Sequence, residues 1–167
     1  MKGVIFDLDQ TLVDSSISES YRNNRNWKKV FDLIPQFKIY NGIREFIDEL
    51  QVKGYKIAIV TTSPSKYAEI VLNEFNIQYQ FKVCYHDVLR RKPFPDQYLR
   101  VIQQLDLTLV NTYAFGDRYI DIQAAHSANI ISCACFWGTN ESDLLDKSNP
   151  TLKFNSVFEA RDYFRNL

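Results

Sequence analysis

Two aspartates stand two residues apart in Phe6-Asp7-Leu8-Asp9-Gln10-Thr11-Leu12, where a short apolar run ends. A second apolar run ends in Thr61-Thr62-Ser63, and Lys92 precedes Pro93 after a third. A fourth ends in Gly116-Asp117, with Asp121 four residues on. Singly, each of these reads as well as a turn, a helix cap, a strand residue or a solvated lysine. Together they bring acids, a hydroxyl and a lysine to the ends of successive apolar runs. Paired carboxylates suit a divalent cation, because Mg²⁺ prefers oxygen ligands. A lysine and a hydroxyl facing that cation suit an anion, most naturally phosphate.

The elements that must position these groups can be read from the apolar pattern. Strands are expected at Val4–Leu8, Lys56–Thr61, Lys82–Tyr85, Thr112–Phe115 and Ile130–Phe136, with a weaker one at Leu152–Phe154. Several are nearly continuous in apolar residues, as are strands buried on both faces of a parallel sheet. Between them lie helical stripes at i, i+3, i+4, i+7: Ile43, Phe46, Ile47 and Leu50; Ala68, Val71, Leu72 and Phe75; Tyr98, Val101, Ile102 and Leu105; Ala160, Tyr163, Phe164 and Leu167. Gly54 suits a left-handed helix end, Ser63-Pro64 an N-cap followed by proline, Pro95-Asp96 a first helical turn, and Asn149-Pro150 a turn.

Strands alternating with helices predict an α/β fold, a three-layer doubly wound, mainly parallel sheet of Rossmann-like type. Ligands in such sheets bind outside the carboxyl ends of the strands, where these residues fall. If the first strand continues through Asp9, the Asp7 and Asp9 side chains point the same way.

Here the motifs become specific. "VIFDLDQTLVDS", "KIAIVTT", "RRKPFPDQY" and "AFGDRYIDIQAAHSANI" follow one another in that order. With them the chain resembles the haloacid dehalogenase superfamily, in its Mg²⁺-dependent phosphatase branch. The four segments are similar to that family's Asp-x-Asp-x-Thr, strand-terminal Thr, Lys-Pro and Gly-Asp-x-x-x-Asp motifs. The resemblance implies that Asp7 is a nucleophile forming an aspartyl-phosphate, and that Asp9 is the general acid and then the general base. It implies Mg²⁺ held by the Asp7 carboxylate, the Asp9 carbonyl and Asp117, with Asp121 in support. Thr61, Thr62 and Lys92 would bind the phosphoryl oxygens. Gln10 replaces the glycine most often found in the first motif, so a changed turn is expected there. Arg118 stands where small residues are common, and reads as a substrate contact or a surface arginine. Asp96 reads as a first-turn helix acid.

The resemblance also frames the substrate question. Family members choose substrates with a cap, inserted after the first motif or between the second and third. Thr61 to Lys92 has room for one helix and one strand only. Residues 15–40 are polar and mixed, and read as a small, partly helical cap insertion in one core domain spanning 1–167. A reduced cap and an accessible site follow. On one helix, Arg22, Arg25, Lys28 and Lys29 would share a face, either a phosphate-steering or nucleic-acid-facing patch or simply a solvated one. The expected activity is Mg²⁺-dependent phosphomonoester hydrolysis. A phosphotransferase or mutase, and a non-catalytic phosphate-binding interaction protein, are the alternatives.

Composition sets outer bounds. Lys+Arg and Asp+Glu are 20 each, so a generally basic nucleic-acid binder is disfavoured. The expected partner is a phosphorylated small molecule or macromolecule. Nucleic acid is possible but not favoured, no membrane partner is expected, and a homo-oligomer is possible. Hydrophobics at 46% and charged residues at 24% fit a folded domain rather than a disordered chain. The acids at 7 and 9 do not fit a signal peptide. Cys84, Cys133 and Cys135 are odd in number and lack metal spacing, which predicts buried free thiols and a reducing, cytoplasmic compartment. His86 and His126 show no ligand spacing and read as structural. No Gly-x-Gly-x-x-Gly or Gly-x-x-x-x-Gly-Lys pattern supports a nicotinamide or P-loop site.

Overall fold

A computed structural model describes residues 1–167. In chain order its elements are β1 (Gly3–Phe6), β2 (Val13–Asp14), α1 (Glu19–Asn23), α2 (Trp27–Leu33), β3 (Lys38–Ile39), α3 (Ile43–Val52), β4 (Lys56–Val60), α4 (Ser65–Glu74), β5 (Phe81–Val83), α5 (Asp96–Leu105), β6 (Thr112–Gly116), α6 (Tyr119–Ser127), β7 (Ile131–Cys135), α7 (Ser142–Lys147), β8 (Leu152–Phe154) and α8 (Val157–Arg165). Six strands form one parallel sheet in the order β5-β4-β1-β6-β7-β8. The chain builds outward from β1 to β5, then crosses to β6 and builds the other way. The α/β, doubly wound, Rossmann-like expectation is met.

The two-faced burial of the strands explains their unbroken apolar runs. Val4 and Phe6 of β1 face one core, shared with Ile57, Ile59 and the inner faces of α3, α4 and α8. Ile5 faces the other, with Ala58, Val60, Ala114 and the inner faces of α5 and α6. Period-two alternation thus divides the strand residues between two helix layers. On α3 all four stripe residues, Ile43, Phe46, Ile47 and Leu50, are buried. The last stripe is shorter than expected: Leu167 lies beyond α8 and is exposed. Phe115 ties the first core together, with ring centroids 5.1 Å from Phe6, 5.7 Å from Phe46 and 5.9 Å from Phe164. Such aromatic pairs add about 0.5–1.5 kcal/mol each beyond area burial. Cys133 and Cys135 share this core as buried free thiols, as does Cys84.

The punctuation is mostly as expected. Gly54 adopts φ +82° just past α3, and Asn149 φ +54° before Pro150. Ser63 is a correction. Pro64 is the cap residue of α4, whose first residue is Ser65, and Ser63 makes no cap bond. Its hydroxyl donates to Asp9 Oδ2 instead, at 3.0 Å.

Residues 15–40 fold as two short 3₁₀ turns, α1, α2 and β3, the last pairing antiparallel with β2. Arg22, Arg25, Lys28 and Lys29 do not share a helix face. Arg25 takes φ +55° between the two helices, and Asn26 starts α2 afresh by accepting the Lys29 N–H at 3.3 Å. Asparagine is a strong N-cap, which explains the restart. Arg22 is half-buried, while Arg25, Lys28 and Lys29 are exposed.

One ion-pair cluster anchors the C-terminal helix. Glu49 of α3 accepts from Arg161 at 2.6 Å and Arg165 at 2.7 Å on α8. These bonds lower its pKa from 4.5 to about 2. A depressed acid stabilises the fold above its unfolded pKa, and that contribution is lost as pH falls through the folded value. Wild type should therefore lose this stability between pH about 4.5 and 2, by below about 1 kcal/mol for an exposed cluster. Acid titration of unfolding for Glu49→Gln should show a flatter limb in that window. An identical limb would show that the cluster is worth nothing.

Candidate active site

β1 ends at Phe6, and Asp7 follows with its N–H donated to Phe115 O at 2.9 Å. The side chain enters a cleft at the carboxyl edge of the sheet. There Lys92 Nζ donates to Asp7 Oδ1 at 2.6 Å and lies 2.5 Å from Asp121 Oδ1. It also donates to Val60 O at 3.0 Å, at the end of β4. The lysine side chain is 1% exposed, so its charge is given wholly to these partners. Burial alone would lower its pKa, but Asp121 and Asp7 hold it well above the usual value.

Asp117 follows β6 and accepts from Thr11 Oγ1 at 3.2 Å. Asp121 lies in the first turn of α6, where its Oδ2 accepts the Arg118 N–H at 3.0 Å. Gly116 makes room for it: a Cβ there would overlap the Asp121 side chain. Thr61 is buried at the end of β4, with Oγ1 accepting the Ser63 N–H at 3.0 Å. A cavity of about 740 Å³ covers the cleft, and Asp7, Asp9, Thr61, Thr62, Lys92, Asp117 and Asp121 all line it. The structure therefore brings together the seven residues that the sequence motifs offered for catalysis, phosphoryl binding and metal binding.

The geometry differs from expectation at Asp9. The strand does not continue, so Asp7 and Asp9 are not a same-face strand pair. The chain turns at Gln10, which takes φ +63°, the conformation that glycine would adopt easily. Its side-chain oxygen accepts the Ser15 N–H at 2.8 Å, a local bond that holds the turn. Gly138 packs against the Gln10 carbonyl so tightly that a Cβ would overlap it, and Trp137 Nε1 donates to Thr11 O at 3.0 Å. After this turn the Asp9 carboxylate takes partners other than Lys92. Its Oδ1 accepts from Tyr67 Oη at 2.5 Å and Ser15 Oγ at 2.6 Å. Its Oδ2 accepts from Ser63 Oγ and pairs with Arg22 Nη1 at 2.9 Å.

Sequence reasoning missed these partners of Asp9. Tyr67 sits in an apolar helix face and reads as core. Gln97 was missed too: buried, it donates to Thr61 O at 2.8 Å and accepts the Lys92 N–H at 3.4 Å, joining two motif loops. His86 lines the cavity, which its reading as structural did not anticipate, while His126 bonds Ser132 Oγ at 2.9 Å. Arg118 also lines the cavity, 3.6 Å from Glu141. Asp96 pairs with Arg90 at 3.0 Å, away from the site.

The donor set fits a hard divalent cation. Burial raises Asp7 to about 7, against the pull of Lys92 and with the push of Asp121 and Asp9. Burial, then Asp7 and Asp121, raise Asp117 well above the usual carboxylate range. Three crowded carboxylates thus face one lysine, and the excess negative charge calls for a cation. No three acidic, histidine or cysteine side chains form a metal-holding group by themselves.

Comparison with known proteins accords with the fold. The chain is 28% identical over 121 residues to the phosphoglycolate phosphatase of Escherichia coli (strain K12), covering 71% of this chain and 48% of that protein. The corresponding figures for the phosphoglycolate phosphatase of Pseudomonas putida are 28%, 71% and 44%. The chain spans about half the length of these relatives. Among solved structures, a predicted phosphoglycolate phosphatase from Haemophilus somnus 129pt superposes with TM-score 0.86 at 20% identity, covering 98% of each chain. A HAD-superfamily hydrolase from Geobacter sulfurreducens PCA superposes with TM-score 0.77 at 18% identity, covering 100% of both. No helix is long and apolar enough to cross a membrane. Residues 17–135 match the family model, a stretch that holds Thr61, Lys92, Asp117 and Asp121 and begins just after Asp7 and Asp9. The chain belongs to the haloacid dehalogenase-like hydrolase family.

Proposed function

We propose that this chain is a Mg²⁺-dependent phosphomonoester hydrolase that works through an aspartyl-phosphate on Asp7. The carrying observation is the lysine-bridged pair: Lys92 Nζ sits 2.6 Å from Asp7 and 2.5 Å from Asp121, with Asp117 crowding the same charges. An Asp7 oxygen attacks phosphorus, the P–O bond to the leaving group breaks, and Asp9 delivers the proton to the departing oxygen. Water then attacks phosphorus, Asp9 takes its proton, and the Asp7–phosphorus bond breaks to release phosphate. Lys92, Thr61 and Thr62 hold the phosphoryl oxygens, where transition-state charge collects. The Asp7 carboxylate, the Asp9 carbonyl and Asp117, supported by Asp121, would hold Mg²⁺. When bound, the ion would supply the positive charge that lets carboxylate and phosphate approach.

Residues 1–167 form one core domain in this reading, and residues 15–40 are its reduced cap. The names of the relatives favour a small phosphorylated metabolite as substrate. Three buried free thiols fit a reducing, cytoplasmic setting.

The test is phosphate release from p-nitrophenyl phosphate and from a panel of phosphorylated metabolites, with Mg²⁺ and with chelator. Release to water that stops on chelation is the expected result. Transfer to an added acceptor alcohol in place of release would make the chain a phosphotransferase. A folded protein that binds phosphate esters and releases none would make it a binding protein.

A further inference from the structure

Tyr67 lies on α4 and is wholly buried, its ring centroid 5.9 Å from that of Trp27 and 6.4 Å from that of Phe37. Phenylalanine would meet that packing as well, and a buried phenol costs free energy unless its hydroxyl is bonded. The Tyr67 hydroxyl donates to Asp9 Oδ1 at 2.5 Å. Burial first, and then the Asp9 charge, hold the phenol protonated and so a donor. Ser15, also wholly buried, donates to the same oxygen at 2.6 Å. The two oxygens of Asp9 are therefore unlike. Oδ1 is bonded by two groups that do not line the cavity, whereas the partners of Oδ2, Ser63 and Arg22, both line it.

We infer that Tyr67 is the positioning residue of the proton-transfer step: with Ser15 it fixes Oδ1, so that Oδ2 is the atom that exchanges the proton with the departing oxygen. The inference rests on the hydrolase reading and assigns a residue outside the four motif loops to it. As the bond from Asp7 to phosphorus forms and the ester P–O bond breaks, the proton on Asp9 Oδ2 passes to the leaving oxygen. The charge left on the carboxylate is met at Oδ1 by two hydrogen bonds already in place, so nothing need reorganise there. The Ser63 hydroxyl can turn to accept when Oδ2 carries the proton, since a serine both donates and accepts. A carboxyl held at one oxygen keeps the other aimed, which is the part of proton transfer that geometry supplies. Because Tyr67 belongs to α4, which starts just after Thr61, Thr62 and Ser63, the acid is tied to the element that follows the phosphoryl-binding loop.

The test compares p-nitrophenyl phosphate with phenyl phosphate, two esters of similar shape. Nitrophenolate departs without a proton, whereas phenolate is a much poorer leaving group and gains from one. The ratio of their kcat/KM values reports the step that breaks the ester bond, because hydrolysis of the aspartyl-phosphate is common to both. Tyr67→Phe should lower kcat/KM at least about tenfold for phenyl phosphate and less than about threefold for p-nitrophenyl phosphate. Ser15→Ala should move the ratio in the same direction, and it carries the test if Tyr67→Phe does not fold. Equal losses on the two esters would assign Tyr67 to packing and overturn the inference. Asp9→Asn removes the acid and should show the same selective loss, and Tyr67→Phe added to it should move the ratio no further. A further shift there would place the effect of Tyr67 outside Asp9 and also overturn the inference. Wild type that cleaves neither ester would bring down the hydrolase reading and this inference with it. Wild type that cleaves both, with a ratio that neither Tyr67→Phe nor Ser15→Ala moves, overturns the inference alone.

Discussion

Asp7→Asn is expected to lower phosphate release by about 10⁴-fold or more, the scale seen when a covalent nucleophile is removed. The amide keeps the size of the side chain and loses the attacking oxygen's charge. The same change should alter stability in an unusual direction. Burial holds the Asp7 carboxyl at about 7, up from 3.8, despite Lys92. An acid whose folded pKa is raised binds more protons folded than unfolded between those values. The fold therefore loses stability as pH rises through that window, from about 4 to about 7. Asparagine cannot ionise and escapes this loss. With chelator present, unfolding at pH 8 should show Asp7→Asn at least as stable as wild type. Loss of stability together with loss of activity would mean that the Asp7–Lys92 bond outweighs the burial of the charge. Retained phosphate release would remove Asp7 from the nucleophile's role.

Lys92→Met should act on both properties in the harmful direction. Methionine fills similar space but leaves Asp7 and Asp121 facing each other without the cation that stands 2.6 and 2.5 Å from them. Breaking a buried pair from one side typically costs about 3–5 kcal/mol. Removal of a preorganised donor from the phosphoryl site typically costs about 10²–10³-fold in rate. Denaturant unfolding and phosphate release, measured on the same preparation, check both. Lys92→Met/Asp121→Asn should recover stability without recovering activity, because it removes one of the stranded charges and returns no donor. A single variant with the wild-type unfolding midpoint would show that the pair is not holding the loops together. Lys92→Arg is no rescue: the site is 1% exposed and the amine also donates to Val60 O at 3.0 Å, so a guanidinium would overfill it.

What could be read from the chain alone, and what could not, divides along the range of the interactions. The apolar runs at 4–8, 56–61 and 112–115 marked buried strands because both of their faces meet helices, a property written locally in each run. Helices α3 and α5 were legible for the same reason, as stripes that turn toward one core. Asp7, Thr61, Lys92 and Asp117 could be grouped because each follows a strand, and a parallel sheet collects its carboxyl ends on one edge. The partners of Asp9 were not legible. Tyr67 and Ser63 are more than fifty residues away in sequence, and only the docking of α4 against the first turn brings their hydroxyls to within 2.5 and 3.0 Å. The bend at Arg25 was equally hidden, because Asn26 ends one helical run and starts another by a local bond that competes with continuation. That bend sends Arg22 inward and leaves Lys28 and Lys29 in water. Local pattern determined which faces are buried and where the motif residues fall. Tertiary packing decided which of their charges meet, because Coulomb and hydrogen-bond energies depend on distances that no periodicity encodes.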